Sequence, residues 1–216
     1  MKKIIFIIIL LTIFVNIYST FYKKNNLLTI NNNKIYKKTD TYEIKINYPF
    51  TEYKKLNKEI KKIVNTYIKN FKNDLPNKDI PVDMTYTLII DYKEFYYNNY
   101  VSYIFYIEYF TGGAHPNHDI ITINYDKLTN NFIKIENLLE KNKDILDIFS
   151  KISRTNLINI PRITIASMMY EGTKPTKDNF KNFVFTKDGI LLLFNYYQVA
   201  PYSQGQFEIL IPYNYI

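Results

Sequence analysis

The chain has no cysteine, no tryptophan, five glycines and two histidines in 216 residues. Without cysteine there are no disulfides, no thiolate metal sites, no cysteine nucleophile and no lipobox attachment. Stability must therefore come from a core and hydrogen bonds, which this length can supply. So few glycines leave no phosphate-cradling loop, and no serine sits in a Gly-x-Ser-x-Gly elbow. Acidic residues are absent before Asp40, so four lysines near the N-terminus (Lys2, Lys3, Lys23 and Lys24) account for half of the net charge of +8. The remaining excess is ordinary and does not argue for nucleic acid.

What is abundant is apolar and aromatic: 47% hydrophobic residues, with 22 Tyr and 15 Phe. The richness in Ile, Lys, Asn and Tyr follows an AT-rich codon usage, so no single Lys or Asn carries weight. Lys2-Lys3 precede an apolar run from Ile4 to Tyr22. This is the pattern of a signal peptide, and it is also long enough for a membrane span. Ser19 could end a signal, but Ile17 two residues earlier is not small. Lysines at both ends set no orientation. Residues 1–22 are thus expected to be a signal peptide or a membrane anchor, both leading to an extracytoplasmic domain, secreted or anchored by residues 4–22. Residues 23–40 lack a strong period and read as a tether. Residues 41–216 read as one domain.

Tyr42–Tyr48 alternates as a strand ending at Pro49. From Glu52 the period changes: Tyr53, Leu56, Ile60, Ile63, Val64, Tyr67, Ile68 and Phe71 fall at helical spacing and lysines take the opposite face, with Thr51 as a candidate N-cap. Met84–Tyr92, Val101–Phe110 and Ile120–Tyr125 read as strands, with Asn98-Asn99 as a tight turn. A helical region spans about 136–160 with Asn142 as a candidate cap, and 163–173 is ambiguous. Phe183–Phe185 and Ile190–Phe194 form a hairpin over Asp188-Gly189, and Phe207–Ile211 is the last strand. Hairpins dominate, so the expected class is α+β: an antiparallel sheet with two main helices packed on one face.

Several motifs carry a resemblance. A strand ending in Tyr48-Pro49 leads to a helix with Leu56-Asn57. An aromatic strand runs into Tyr109-Phe110-Thr111-Gly112-Gly113-Ala114-His115. Phe183-x-Phe185-Thr186-Lys187-Asp188-Gly189-Ile190 is followed by Tyr197-Gln198-Val199-Ala200-Pro201-Tyr202-Ser203-x-Gly205 and a strand ending in Ile211-Pro212-Tyr213. Over about residues 41–216 the chain resembles the extracytoplasmic domain of unknown function shared by RsiV-like anti-sigma factors and PdaC-like peptidoglycan deacetylases. The resemblance implies an accessory module that binds lysozyme in the first group and precedes a separate catalytic domain in the second. The given sequence has only Met1, Lys2 and Lys3 before the apolar run and nothing after Ile216, so neither a sigma-binding segment nor a deacetylase domain is expected.

The expected function is an exported cell-envelope binding module, more binding protein than enzyme, with no cofactor. Its expected partner is an extracytoplasmic protein such as lysozyme or a cell-wall glycan such as peptidoglycan, and also the membrane if the N-terminal segment is uncleaved. Net positive charge counts against a basic partner such as lysozyme. The candidate binding residues are Gly112, Gly113, His115, Gln198, Pro201 and Tyr202. The alternative is a metal-assisted hydrolase of cell-wall material using His115 and His118 with Asp119, since two imidazoles and a carboxylate can hold zinc. The simpler reading has Gly112-Gly113 bending the chain and His115 pinning the bend through backbone. Tyr92, Tyr96, Tyr97, Tyr100, Tyr103, Tyr106 and Tyr109 raise a further expectation, an aromatic platform for sugars or a protein.

Overall fold

The computed structural model describes residues 27–31, 33–76, 85–161, 163 and 165–216. The leader, its cleavage or retention, lies outside them. Among the described residues no helix is long and apolar enough to cross a membrane.

Alternation of apolar and polar residues builds the first sheet. Strands β1 (Leu27–Asn31), β2 (Lys34–Lys38), β3 (Tyr42–Asn47), β4 (Tyr86–Tyr97), β5 (Tyr100–Phe110), β6 (Asn117–Asp126) and β7 (Asn131–Phe132) lie side by side in chain order. Helix α1 (Lys54–Asn73) intervenes between β3 and β4, which pair in parallel; every other pairing in the sheet is antiparallel. Asn98 and Asn130 take positive φ in the two tight connections after β4 and before β7, an angle asparagine tolerates. Helices α2 (Ile135–Lys141), α3 (Ile145–Leu157) and α4 (Ala166–Gly172) follow. A second, antiparallel sheet is ordered β10-β9-β8, from β8 (Phe183–Phe185), β9 (Gly189–Phe194) and β10 (Phe207–Pro212).

The chain is α+β, and the burial pattern orders its layers. α1 buries Leu56, Ile60, Val64 and Phe71 against Ile44, Leu88, Ile90, Tyr103 and Phe105 on one face of the large sheet. Each such side chain contributes roughly 1.5–3 kcal/mol. Ile104 and Ile120 point to the opposite face and meet Val184 and Leu193 of the small sheet. The far side of the small sheet packs Phe183, Phe194 and Phe207 against Phe149 and Leu157 of α3. The two longest helices therefore lie on opposite outer sides, not on one face of one sheet. A sequence apolar on both faces of β5 and β9 needs cover on both sides, and the second sheet supplies it.

Three further local expectations are corrected. Residues 27–31 and 34–38 of the expected tether form paired strands, the second of which pairs with β3, so the sheet begins well before residue 41. Thr51 does not cap α1 directly; the N-cap is Tyr53. Thr51 instead clasps Asn57: its N–H donates to Asn57 Oδ1 at 2.9 Å and its carbonyl accepts from Asn57 Nδ2 at 2.6 Å. Asn142 is a cap, the C-cap of α2, but the helical region expected over about 136–160 divides there, and its side chain accepts from Asp144 N, the N-cap of α3.

The two sheets are joined by side chains rather than by backbone pairing. β8 is an edge strand. Its Phe185 N–H donates to Ser102 Oγ, its Phe183 N–H to Thr122 Oγ1, and its Phe183 carbonyl accepts from Asn124 Nδ2. Likewise Ile120 of β6 donates its N–H to Asn195 Oδ1 and accepts from Asn182 Nδ2 at its carbonyl. These buried polar groups would each be costly if unpaired, and each has a partner.

Candidate functional site

The small sheet does not cover the whole face of the large one. Beyond its edge, alternate residues of three strands remain as a floor: Ile89 and Asp91 of β4, Tyr106 and Glu108 of β5, and His118 of β6. Tyr196, Gly205 and Gln206 wall this ledge, which encloses about 490 Å³. Register explains the convergence. Ile89 pairs with Glu108, and Glu108 pairs with His118, so all three side chains share one face.

Two loops close over the end of the ledge. The bend after β5 contains Gly112 and Gly113 at φ +105° and +112°, angles that glycine reaches freely and other residues seldom do. It delivers His115, whose Nδ1–H donates to the Pro116 carbonyl at 2.8 Å. The loop between β9 and β10 delivers Tyr196, Tyr197 and Tyr202. Tyr202 stacks on the His115 ring at 3.8 Å between centroids and 19° between planes, and Tyr196 stacks on His118 at 4.4 Å and 13°. Tyr197 and Tyr196 both pack at a tilt against Tyr202.

The hydrogen bonds fix proton positions by inference from the network. Tyr202 donates its hydroxyl proton to the Pro116 carbonyl at 2.9 Å. It is then left to accept from His118 Nε2 at 3.0 Å, which places the His118 proton on Nε2. His118 Nδ1 faces Glu108 Oε2 at 3.7 Å, so a second proton there would complete an ion pair. Tyr106 donates to Glu208 Oε1 at 3.1 Å. Burial, and then the Glu208 carboxylate, push the Tyr106 hydroxyl well above its ordinary range. Burial, then neighbouring Tyr196 and Glu108, raise that of Tyr202. The ledge thus combines carboxylates with stacked ring faces on a chain that is basic overall.

Of the candidate binding residues, the structure brings Gly112, Gly113, His115, Pro201 and Tyr202 to this corner. Pro201 precedes a short 3₁₀ turn, Tyr202–Gln204, and accepts from Gln204 N–H. Gln198 points elsewhere. Its Nε2 donates to the carbonyls of Gly172 and Asn179, and its Oε1 accepts from Asn195 N–H, so it anchors the loop from beneath. The metal alternative is corrected. His118 and Asp119 are consecutive in a strand and lie on opposite faces; Asp119 Oδ2 accepts from Tyr67 of α1 at 2.8 Å. Among the described residues no three His, Asp or Glu side chains converge to hold a metal ion.

Of the tyrosines expected as a platform on β4 and β5, Tyr96 is 61% exposed, but most of the others are spent in packing. Tyr103 is buried and Tyr92 packs against it beneath α1. Tyr97 stacks on Tyr213 and Tyr100 on Phe185. Only Tyr106 of that set lines the ledge. The aromatic surface is supplied instead by Tyr196, not singled out from sequence, and by Tyr197, which is 57% exposed and holds φ +63°. A non-glycine residue at that angle is strained. The adjacent Tyr196-Tyr197 pair before Gln198 was the available signal.

Comparison with known proteins places this architecture. Residues 35–118 match the family described as "Deacetylase PdaC", and residues 119–214 match "Protein of unknown function (DUF3298)". Over 176 residues the chain is 30% identical to the peptidoglycan-N-acetylmuramic acid deacetylase PdaC of Bacillus subtilis. That alignment takes in 79% of this chain but 37% of the relative, so the chain spans little more than a third of that enzyme. Crystal structures of DUF3298 family proteins from Bacteroides fragilis and Pseudomonas aeruginosa share the fold, each with TM-score 0.58, at 20% and 15% identity. Each covers 88% of this chain, which in turn covers 92% and 90% of them. The two family matches meet at His118 and Asp119, on the strand that floors the ledge, so the chain carries a PdaC-like segment followed by a DUF3298-like one.

Proposed function

We propose that this protein is a non-catalytic recognition module of the cell envelope, working outside the cytoplasm, and that it binds a cell-wall glycan on the ledge. The observation that carries this reading is the side-by-side placement of the Tyr196–His118 and Tyr202–His115 stacks with the Asp91 and Glu108 carboxylates. Sugar rings present C–H faces that suit aromatic planes and hydroxyls that suit carboxylates. Both imidazoles have edges engaged with Pro116 and Tyr202, which favours a fixed platform over a mobile acid or base. Similarity to a peptidoglycan deacetylase supports the same compartment and the same polymer.

One observation favours a second ligand class. The ledge is locally acidic, with Asp91, Glu108 and Glu208 around it, and would suit a basic protein such as lysozyme despite the chain's overall charge. Co-sedimentation of the purified protein with insoluble peptidoglycan, beside capture on immobilised lysozyme, separates the two. Retention on peptidoglycan that is lost in Tyr196→Ala is the expected result. Retention on lysozyme alone moves the function to the protein partner, and retention on neither refutes the module.

A further inference from the structure

Helix α1 carries a second surface that the ledge does not use. Its inner face is buried, while Lys54, Lys58, Lys61, Lys62, Lys69 and Lys72 are exposed along its outer face. From Lys54 to Lys72 they extend over roughly 27 Å at the helical rise. Glu59 is the helix's one acidic residue, and it is paired with Lys62 at 3.4 Å.

This arrangement works against the helix that bears it. Lys54 and Lys55 occupy the first turn, where no acid is present and the helix dipole disfavours positive charge. Lys54 and Lys58, Lys55 and Lys58, Lys58 and Lys61, Lys58 and Lys62, and Lys69 and Lys72 are like charges at i,i+3 or i,i+4 spacing, which repel. A solvated helix face needs polar residues, but it does not need one sign. Lys55 turns aside to donate to the Asn130 carbonyl and Asn131 Oδ1, and a neighbouring anionic surface would relieve the repulsions among the others.

We propose that the lysine face of α1 docks on an anionic lipid bilayer. Charge complementarity is one support, and the length of chain before the first strand is the other. The sequence leaves only Lys23 to Asn26 between the apolar run ending at Tyr22 and β1. In the anchored form those residues reach at most about 14 Å. That keeps the start of β1 within about one and a half screening lengths of the lipid headgroups at 0.1 M salt, where the screening length is about 10 Å. Two more lysines, Lys23 and Lys24, occupy that short stretch. Because α1 and the small sheet lie on opposite faces of the large sheet, docking by α1 turns the ledge away from the bilayer, toward the wall.

The test is lysine acetylation footprinting of the full-length chain reconstituted in vesicles, read residue by residue by mass spectrometry. In vesicles containing phosphatidylglycerol, labelling of Lys58, Lys61, Lys69 and Lys72 is expected to slow about fivefold relative to phosphatidylcholine vesicles, the factor expected per lysine near an anionic leaflet. The protection should vanish at 0.5 M salt, roughly a 4 Å screening length. Lys143 and Lys151, exposed on the far side, are expected to label equally in both. The triple variant K58Q/K61Q/K62Q, all on the solvated face, should lose protection at Lys69 and Lys72 while Lys143 labels as in the wild type. Equal labelling in the two lipids overturns the proposal. Protection by a soluble phosphate polymer but not by anionic lipid also overturns it, in favour of a wall polymer. None of these outcomes depends on whether the ledge binds glycan.

Discussion

Gly172 is the residue on which the site's second loop rests, and replacing it by alanine tests the account of that loop. It closes α4, is buried, and has a φ outside the left-handed region, so alanine meets no backbone penalty there. The penalty is contact. An added Cβ would fall inside the radius of the Gln198 carbonyl oxygen, 2.7 Å from its carbon and 2.9 Å from Val199 Cγ1. Ordinary carbon contacts are about 3.5–4.0 Å, so the backbone at 198–199 must retreat by roughly 1 Å. Overpacking of this kind costs about 1–3 kcal/mol. The retreat also strains the Gln198 Nε2 bonds to Gly172 and Asn179, each worth about 1 kcal/mol. The expected total is about 3 kcal/mol. With a urea m-value of about 2 kcal/mol/M, the unfolding midpoint should fall by about 1.5 M. The chain lacks tryptophan, so far-UV circular dichroism is the appropriate probe. Nitration of Tyr202, now displaced from His115, should rise in parallel. Gly113→Ala is the control: nothing lies within 4 Å of its Cβ, but its φ is +112°. It should cost about 1–2 kcal/mol and leave Tyr202 nitration unchanged. A Gly172→Ala protein within 1 kcal/mol of wild type, with Tyr202 still protected, would refute the close-approach reasoning.

Three other outcomes are expected. Ser102→Ala removes the group that bridges Asn124 Oδ1 and the Phe185 N–H in a buried seam; it should destabilise by about 2 kcal/mol in the same urea assay, and a neutral result would mean the two sheets are held by apolar contact alone. Burial, followed by Asp119, Tyr96, Glu208 and Tyr97 respectively, raises the hydroxyls of Tyr67, Tyr103, Tyr106 and Tyr213 well above the usual tyrosine range. A raised folded value gives stability that is complete below about pH 10 and is lost as pH climbs beyond it. Absorbance at 295 nm should therefore finish rising only as far-UV ellipticity collapses, and a complete titration with the fold intact would contradict these burials. Burial opposes ionisation of Asp126, but hydrogen bonds from the Asn99 side chain and the Leu128 and Thr129 N–H groups outweigh it and hold its carboxyl below the usual range. That stability is present above the ordinary carboxylate range and lost as pH falls through the lowered value, so Asp126→Asn should flatten the acid limb of the stability–pH curve; an unchanged limb counts against the network.

Much of the scaffold was legible because periodicity reports local environment. Of the eight residues at helical spacing from Tyr53 to Phe71, the structure buries Leu56, Ile60, Val64 and Phe71 and half-buries Tyr53, Ile63, Tyr67 and Ile68. The strands β4, β5, β6, β9 and β10 follow alternation or continuous apolar runs for the same reason. Sheet count was not legible. Continuous burial along β5 and β9 says that both faces are covered without saying by what, and only the long-range meeting of Ile104 and Ile120 with Val184 and Leu193 distinguishes a second sheet from a second helix. Strand β2 was not legible because its side chains, Lys34 to Lys38, are exposed or only half-buried and three of the five are lysines.

The site shows why residue type is a weaker guide than register. Seven tyrosines in two adjoining strands invite a platform, yet alternation alone sends them to opposite faces. Tyr92 and Tyr103 face α1, whereas Tyr106 faces the small sheet. The histidines follow the same rule. His118 and Asp119 are neighbours in sequence and so, in a strand, point to opposite sides of the sheet. His115 escapes the rule because Gly112 and Gly113 break the strand before it. His118 remains inside β6, where the pairing Glu108↔His118 aligns it with the carboxylate at 3.7 Å. The loop that completes the site is held from below by Gln198, so its motif encodes an anchor as well as a surface. On the proposed function, a Gln198→Ala substitution should therefore impair glycan binding without removing a ligand contact: Tyr202→Ala would remove a ring of the proposed platform, whereas Gln198→Ala would lower stability and binding together, with binding recovered in Gln198→Glu only so far as its Oε1 still accepts from Asn195. Equal binding loss in both variants with unchanged stability in Gln198→Ala would place Gln198 in the ligand's contact surface and overturn its assignment as an anchor.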